Sequence, residues 1–295
     1  MGQNKPSLGY IGLGLMGAPM TGRLLEADYE VAIWGRTPAK LDRFVELGAE
    51  RRQTAADVAR SSDLVFTCLS DTEAVEAVVF GEEGIAAGGA GGKLLVDMSS
   101  IRPDACRNMA ARLERETGMR WMDAPVSGGV IGAETGNLTV MAGGNEADFE
   151  RAREVVAVLA RRFTLMGPIG AGQTTKLINQ TIVGCGFAVL AEAAALAVRA
   201  GIDAGRLPEA LAGGRADSLL LQQFFPKMVA GDMTVESHIR TILKDLDTVS
   251  DLARATASSM PMAVTAAELH RLMVQRGHAG ADSTAIAALY RGDPV

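Results

Sequence analysis

Short apolar runs and helical periodicities alternate through the first half of the chain. Apolar runs predict strands at Leu8–Ile11, Glu30–Trp34, Leu64–Leu69, Lys93–Met98, Arg120–Met122, Leu138–Ala142 and Phe163–Met166. Between them, apolar residues recur with helical spacing over Met16–Ala27, Pro38–Leu47, Thr72–Phe80, Pro103–Thr117 and Ala147–Leu159. Pro38 and Pro103 suit first-turn positions, where the missing N–H costs nothing. Strands alternating with helices predict a parallel, doubly wound α/β sheet.

The pattern changes after the punctuation at Gly167, Pro168, Gly170 and Gly172, and no strand is predicted beyond it. Gln173–Ala200 reads as one helix, roughly 40 Å long at about 1.5 Å per residue, stopped by Gly201. Leu207–Tyr290 reads as further helices, with breaks at Gly213, Gly214, Pro226, Gly231, Pro261 and Gly277–Gly280. The expected organisation is an α/β domain over 1–170 and an all-helical domain over 171–295, with 173–200 as the linking helix. Leu177–Val198 is apolar enough to raise a membrane span, but Glu192 would lie unpaired in lipid, so a buried helix of a soluble protein is expected.

Composition narrows the classes. Of 295 residues 48% are hydrophobic, which supports a sizeable core and excludes a disordered chain. Lys and Arg number 29 against 35 Asp and Glu, a net charge of −6, which argues against a nucleic-acid partner. A small anionic substrate stays open, because local charge differs from net charge. Cys68, Cys106 and Cys185 form no metal-spaced pair and leave an odd thiol if two join, as expected in a reducing cytoplasm. The opening MGQNKPS has no apolar run of the signal-peptide kind.

Gly12, Gly14 and Gly17 match G-x-G-x-x-G between a predicted strand and a predicted helix. This is the fingerprint of a Rossmann-type sheet that binds a nicotinamide dinucleotide. Gly12 permits the tight turn, Gly14 lets a pyrophosphate approach the backbone, and Gly17 lets helix and strand pack closely. Leu15 and Met16, between the second and third glycines, join the expected cofactor-binding set. An acidic residue that would hold an unmodified ribose is missing about twenty positions later; Trp34, Gly35, Arg36 and Thr37 stand there instead. The Arg36 guanidinium and Thr37 hydroxyl suit a 2′-phosphate, so NADP is expected over NAD.

Several ordered motifs resemble the β-hydroxyacid dehydrogenase family, which includes 3-hydroxyisobutyrate dehydrogenases and tartronate semialdehyde reductases. They are GYIGLGLMGAPM at Gly9–Met20, DMSSI at Asp97–Ile101, DAPVSGG at Asp123–Gly129 and GAETGNLTVMAGG at Gly132–Gly144. GAGQTTKLINQ at Gly170–Gln180, ILKDLD at Ile242–Asp247 and GADST at Gly280–Thr284 extend the resemblance over nearly the whole chain. It implies hydride transfer between a nicotinamide and a small carboxylate-bearing aldehyde or its 3-hydroxy acid, without a metal.

The resemblance implies that Lys176 is the general acid that protonates the carbonyl oxygen, or the base in reverse. An ammonium suits that work because burial or a nearby cation can bring its pKa towards the working range. Asn179 and Gln180 follow three and four positions later on the same helical face and are assigned to substrate or to support of the lysine. Gln180 stands where many relatives carry a second asparagine. Ser127, Gly128 and Gly129 are assigned to substrate, since glycines after a serine expose N–H groups to a carboxylate. Leu69, Ser70, Ser100 and Lys244 are assigned to the cofactor; relatives often have proline at the place of Ser70. Ile131, Phe224, Phe225 and His238 are candidate pocket-lining residues.

His238, His270 and His278 match no metal spacing, and Asp282 and Ser283 are expected to cap the last helix. The resemblance also implies a homodimer or homotetramer. Two other readings are an imine reductase on the same fold, which usually lacks the lysine, and a non-catalytic dinucleotide-binding module.

Overall fold

The computed structural model describes residues 5–291. The chain folds into two compact units, one ending at Lys176 and the other beginning at Leu177.

The first unit is a nine-stranded sheet with helices on both faces. Its strands are β1 (Leu8–Ile11), β2 (Val31–Trp34), β3 (Glu50–Arg51), β4 (Leu64–Thr67), β5 (Leu94–Asp97), β6 (Arg120–Asp123), β7 (Val126–Ser127), β8 (Leu138–Gly143) and β9 (Ala160–Gly167). They run in the order β3-β2-β1-β4-β5-β6-β8-β7, with β9 paired to β8. The chain winds outward from β1 in one direction through β2 and in the other through β4, which opens a crevice at the carboxyl ends of β1 and β4.

Alternation along each strand explains the two covered faces. Leu64 and Phe66 of β4, with Leu94 and Val96 of β5, join one core with Met20, Leu24, Phe149 and Val155 from helices. Val65 and Leu95 point the other way, into a core with Val58, Val75, Met109 and Leu113. Strands buried on both faces read as continuous apolar runs, which is why the sequence marks them so clearly.

The expected parallel sheet needs one correction. β8 runs antiparallel to both β6 and β7. The residues between β6 and β8 are spent on β7 and a short helix, Gly129–Thr135, rather than on a crossover that would return the chain in parallel. Elements without an apolar signature also escape the pattern. β3 has two exposed residues, and the alanine-rich helix Ala55–Ser61 shows little contrast between faces. The Thr54 hydroxyl, which accepts from the Asp57 N–H at 3.0 Å, was the available start signal for that helix.

The long helix runs Ala171–Arg199, two residues earlier at its start than the pattern predicts. It is apolar and long enough to cross a membrane by length and composition, and about 33% of its most apolar window is buried. The expectation of a buried helix therefore holds for one side only. Leu177, Phe187, Ala191 and Ala194 enter the core of the second unit, whereas Ile178, Ile182, Val189 and Leu196 are exposed. Glu192 accepts a hydrogen bond from the Tyr290 hydroxyl at 3.3 Å.

The rest of the second unit packs helices Leu219–Ala230, Ile239–Ala255 and Pro261–Gln275 through Leu221, Phe225, Ile242, Leu246 and Ala266. Pro226 was expected to break the chain but lies inside Leu219–Ala230. Phe225 and Met228, buried on either side of it, hold the helix against the core despite the lost backbone bond. Gly231, in the left-handed region at φ 74°, supplies the stop. Asp282 caps the short turn Ser283–Ala287, accepting from the Thr284 N–H at 3.0 Å. Ser283 lies inside that turn and donates its hydroxyl to the Ser237 carbonyl at 2.9 Å, so only the first of the two expected caps forms, and it precedes the last helix, Ala288–Arg291.

Candidate active site

The parallel strands end in register. Trp34 pairs with Ile11, Ile11 with Thr67, Thr67 with Asp97 and Asp97 with Asp123. The segments just past this row carry most of the residues that the sequence points to: Gly12–Gly17, Leu69 and Ser70, Ser99 and Ser100, and Ser127–Gly129. Arg36 and Thr37 follow β2 immediately and are exposed beside the β1 turn.

The glycine turn fits a dinucleotide. Gly12 has φ +104°, and a Cβ there would lie 2.3 Å from the Cys68 carbonyl oxygen. A Cβ on Gly17 would lie 1.9 Å from the Gly12 carbonyl oxygen, so only glycine allows the helix to start so close to the strand. Nothing lies within 4 Å of the Cβ position of Gly14, which leaves its backbone open to a ligand. The helix that follows, Gly17–Glu26, has no acidic residue in its first turn and no side-chain cap. Its N-terminal partial positive charge is left for an anion such as a pyrophosphate.

Beyond β4 and β5, the Leu69 N–H donates to the Ser99 hydroxyl at 2.9 Å. The buried Gln173 side chain then ties the start of the long helix to the same place. Its Nε2 donates to the Ser99 carbonyl at 2.8 Å and its Oε1 accepts from the Ile101 N–H at 3.0 Å. Lys176 lies one turn further along and is 8% exposed. Ser127 ends β7 half-buried, and Gly128 (φ 131°) and Gly129 (φ 61°) form the exposed entry to Gly129–Thr135. Both φ values lie where only glycine is unstrained, so the backbone there can turn its N–H groups outward.

Two buried carboxylates were not among the expected site residues. Asp97 accepts from the Thr67 hydroxyl at 2.9 Å and the Ser99 N–H at 3.1 Å. Asp123 accepts from the Gly170 and Gln173 N–H groups, each at 2.8 Å. Burial pushes both up to about 6, against hydrogen bonds that favour the ionised forms. The available signal was an acidic residue at the end of each of two apolar strands, where the buried pattern leaves no reason for one.

In the second unit, Asn179, Gln180 and Lys244 meet through Asp245. Gln180 Nε2 donates to Asp245 at 2.6 Å, Asn179 donates to Gln180 Oε1 at 2.9 Å, and Lys244 pairs with Asp245 at 3.3 Å. Gln180 and Asp245 are buried. Among the candidate pocket residues, Phe225 is in the core, Phe224 packs edge-on against Phe187, Ile131 is exposed, and His238 Nδ1 meets the Gly280 carbonyl at 2.8 Å. His270 is buried and its Nδ1 meets the Ala266 carbonyl at 2.8 Å. A depression of roughly 350 Å³ lined by Arg153, Arg161, Arg162 and Phe163 contains none of these residues, and Arg153 there is paired with Glu150.

Two family models cover the chain. Residues 7–167 match the NAD binding domain of 6-phosphogluconate dehydrogenase, and residues 170–290 match the NAD-binding domain of NADP-dependent 3-hydroxyisobutyrate dehydrogenase. The chain belongs to the β-hydroxyacid dehydrogenase family. It is 38% identical over 279 residues to a 2-hydroxy-3-oxopropionate reductase of Escherichia coli, covering 95% of each chain. It superposes on a 3-hydroxyisobutyrate dehydrogenase from Salmonella typhimurium with a TM-score of 0.87 at 29% identity, over 97% of this chain and 100% of that one. An imine reductase from a Pseudomonas species is more distant, with a TM-score of 0.66 at 22% identity over 96% and 98%, and shares the fold alone. As a member of the family the chain is an oxidoreductase with NAD(P)-binding domains.

Proposed function

We propose that this β-hydroxyacid dehydrogenase prefers NADP and acts on a small carboxylate bearing an aldehyde, or on the matching 3-hydroxy acid. The observation that carries this reading is a buried lysine, Lys176, one turn beyond a helix start that is bonded to the ends of β5 and β6. The nicotinamide, when bound, supplies or accepts the hydride. Lys176 donates its Nζ proton to the carbonyl oxygen as the alcohol forms, and its ammonium stabilises the developing negative charge beforehand. The N–H groups at Gly128 and Gly129, with the Ser127 hydroxyl, hold the substrate carboxylate. Asn179 and Gln180 orient substrate or lysine, with Gln180 itself held by Asp245. Leu69, Ser70 and Ser100 line the cofactor, and Arg36 and Thr37 receive a 2′-phosphate.

A panel of small semialdehydes and glyoxylate, assayed with NADPH and with NADH, tests both halves of the proposal. Turnover of tartronate semialdehyde or methylmalonate semialdehyde with NADPH preferred is expected. A strong NADH preference would remove the role given to Arg36, and turnover of a cyclic imine in place of every aldehyde would overturn the reaction. We infer further that the protein works in the cytoplasm and that a second copy of the chain covers the exposed stripe Ile182, Val189 and Leu196, which recurs every seven residues. A clean monomer by light scattering would count against that assembly.

A further inference from the structure

Asp123 lies at 0% exposure at the end of β6, and its two carboxylate oxygens accept the Gly170 and Gln173 N–H groups at the start of the long helix. These are among the N–H groups a helix start leaves without internal partners. Helices are commonly capped by a residue just before their own first turn; here the acceptor comes from a strand 47 and 50 residues away. Two glycines make room for it. A Cβ at Gly143 would lie 2.5 Å from Asp123 Oδ1, and one at Gly172 would lie 2.8 Å from Oδ2 and 2.3 Å from the Met141 carbonyl oxygen. The same first turn is held on its other side by the Gln173 side chain, bonded to Ser99 and Ile101 past β5. Lys176 follows Gln173 by three residues of continuous helix, so any shift or fraying of the first turn moves the lysine with it.

We propose that Asp123 is a positioning residue for the reaction: its carboxylate, admitted by Gly143 and Gly172 and seconded by Gln173, fixes the helix start that sets where Lys176 delivers its proton. This rests on the reading of Lys176 given above. Asp123 acts through the helix, without touching substrate or cofactor. An alanine or a leucine in its place would free the Gly170 and Gln173 N–H groups. Asparagine is the more informative change, because it keeps the shape but offers one acceptor oxygen where two donors need one each, and turns an N–H₂ towards a donor.

The test combines amide hydrogen exchange with steady-state kinetics on the full-length protein carrying Asp123→Asn, and separately Gly143→Ala. The second variant keeps the carboxylate and crowds it off the helix, so it serves even where the first fails to fold. Both are expected to lose exchange protection over Gly170–Lys176 without NADPH present. Both are expected to lower kcat by roughly 10- to 100-fold with the KM for NADPH within about twofold of wild type. The double variant should fall short of the product of the two losses, since both act on one contact. Wild-type protection over Gly170–Lys176 in both variants would overturn the anchoring. A wild-type kcat in a variant whose first turn has lost protection would overturn the positioning. Should the wild-type protein turn over none of the aldehydes, the proposed reaction fails by itself, and the exchange measurement still decides whether Asp123 holds the helix.

Discussion

The two units assemble polar groups in different ways. In the first, apart from the Lys176 side chain at its end, the candidate chemistry sits on backbone geometry: a glycine turn, a helix start, and loops that leave a sheet at one aligned row of residues. In the second, it sits on side chains from separate helices, with Gln180 and Asp245 joined across 65 residues of sequence. Backbone sites leave local motifs, because a turn needs its glycines in fixed order. Side-chain sites need no fixed local spacing between their partners, because any helix pair in register can bring two polar residues together. The contrast says where a substitution should be felt as lost chemistry and where as lost stability.

Lys176→Ala should give the largest effect, a fall in kcat of roughly 10²–10⁴-fold with NADPH affinity retained, measured by stopped-flow turnover and fluorescence titration. An unchanged kcat would show that the long helix contributes scaffold alone. Gly12→Ala comes next. At φ +104° with the Cys68 carbonyl oxygen in the way, it should lower stability by about 2–4 kcal/mol and abolish dinucleotide binding, read by thermal melts with and without NADPH. Arg36→Ala should reduce kcat/KM with NADPH by roughly 10- to 100-fold and leave the value with NADH nearly unchanged, as expected for one charge-assisted contact to phosphate.

Asp97→Asn probes the smallest effect, and its size depends on pH. Burial raises Asp97 to about 6, so the folded protein binds that proton more tightly than the unfolded chain does. The stability Asp97 contributes is therefore full when the carboxyl is protonated and declines as pH rises from its unfolded value through about 6. Asparagine does not titrate, so the variant should gain on wild type by on the order of 2 kcal/mol at about pH 7.5 and lose the advantage near pH 4. Parallel melts at the two pH values measure it, and a pH-independent difference would assign the effect to packing.

Much of the fold was legible for a simple reason. Strands buried on both faces, such as Leu64–Thr67 and Leu94–Asp97, are apolar up to their last residue, and the helices over them must show a repeat. What escaped was what burial does not mark: the two exposed residues of β3, the alanine-rich Ala55–Ser61, and the reversal at β8. The site followed the same division. Gly12, Gly14 and Gly17 announce themselves by spacing, and the structure shows the steric reason at Gly12 and Gly17. Asp97, Asp123, Gln173 and Asp245 could be counted in the sequence but not connected, because each finds a partner on a different element.

The row of strand ends at Trp34, Ile11, Thr67, Asp97 and Asp123 also bears on how the molecule is made. Each pairing closes a long loop of chain before it gains anything, and parallel pairings of this kind form slowly. A slip of one residue in any strand would turn its side chains to the wrong face and push its loop out of line with the rest. The dinucleotide crevice therefore exists only once the whole central sheet has closed in register. A chain in which these pairings are incomplete has no aligned row from which those loops can leave the sheet together.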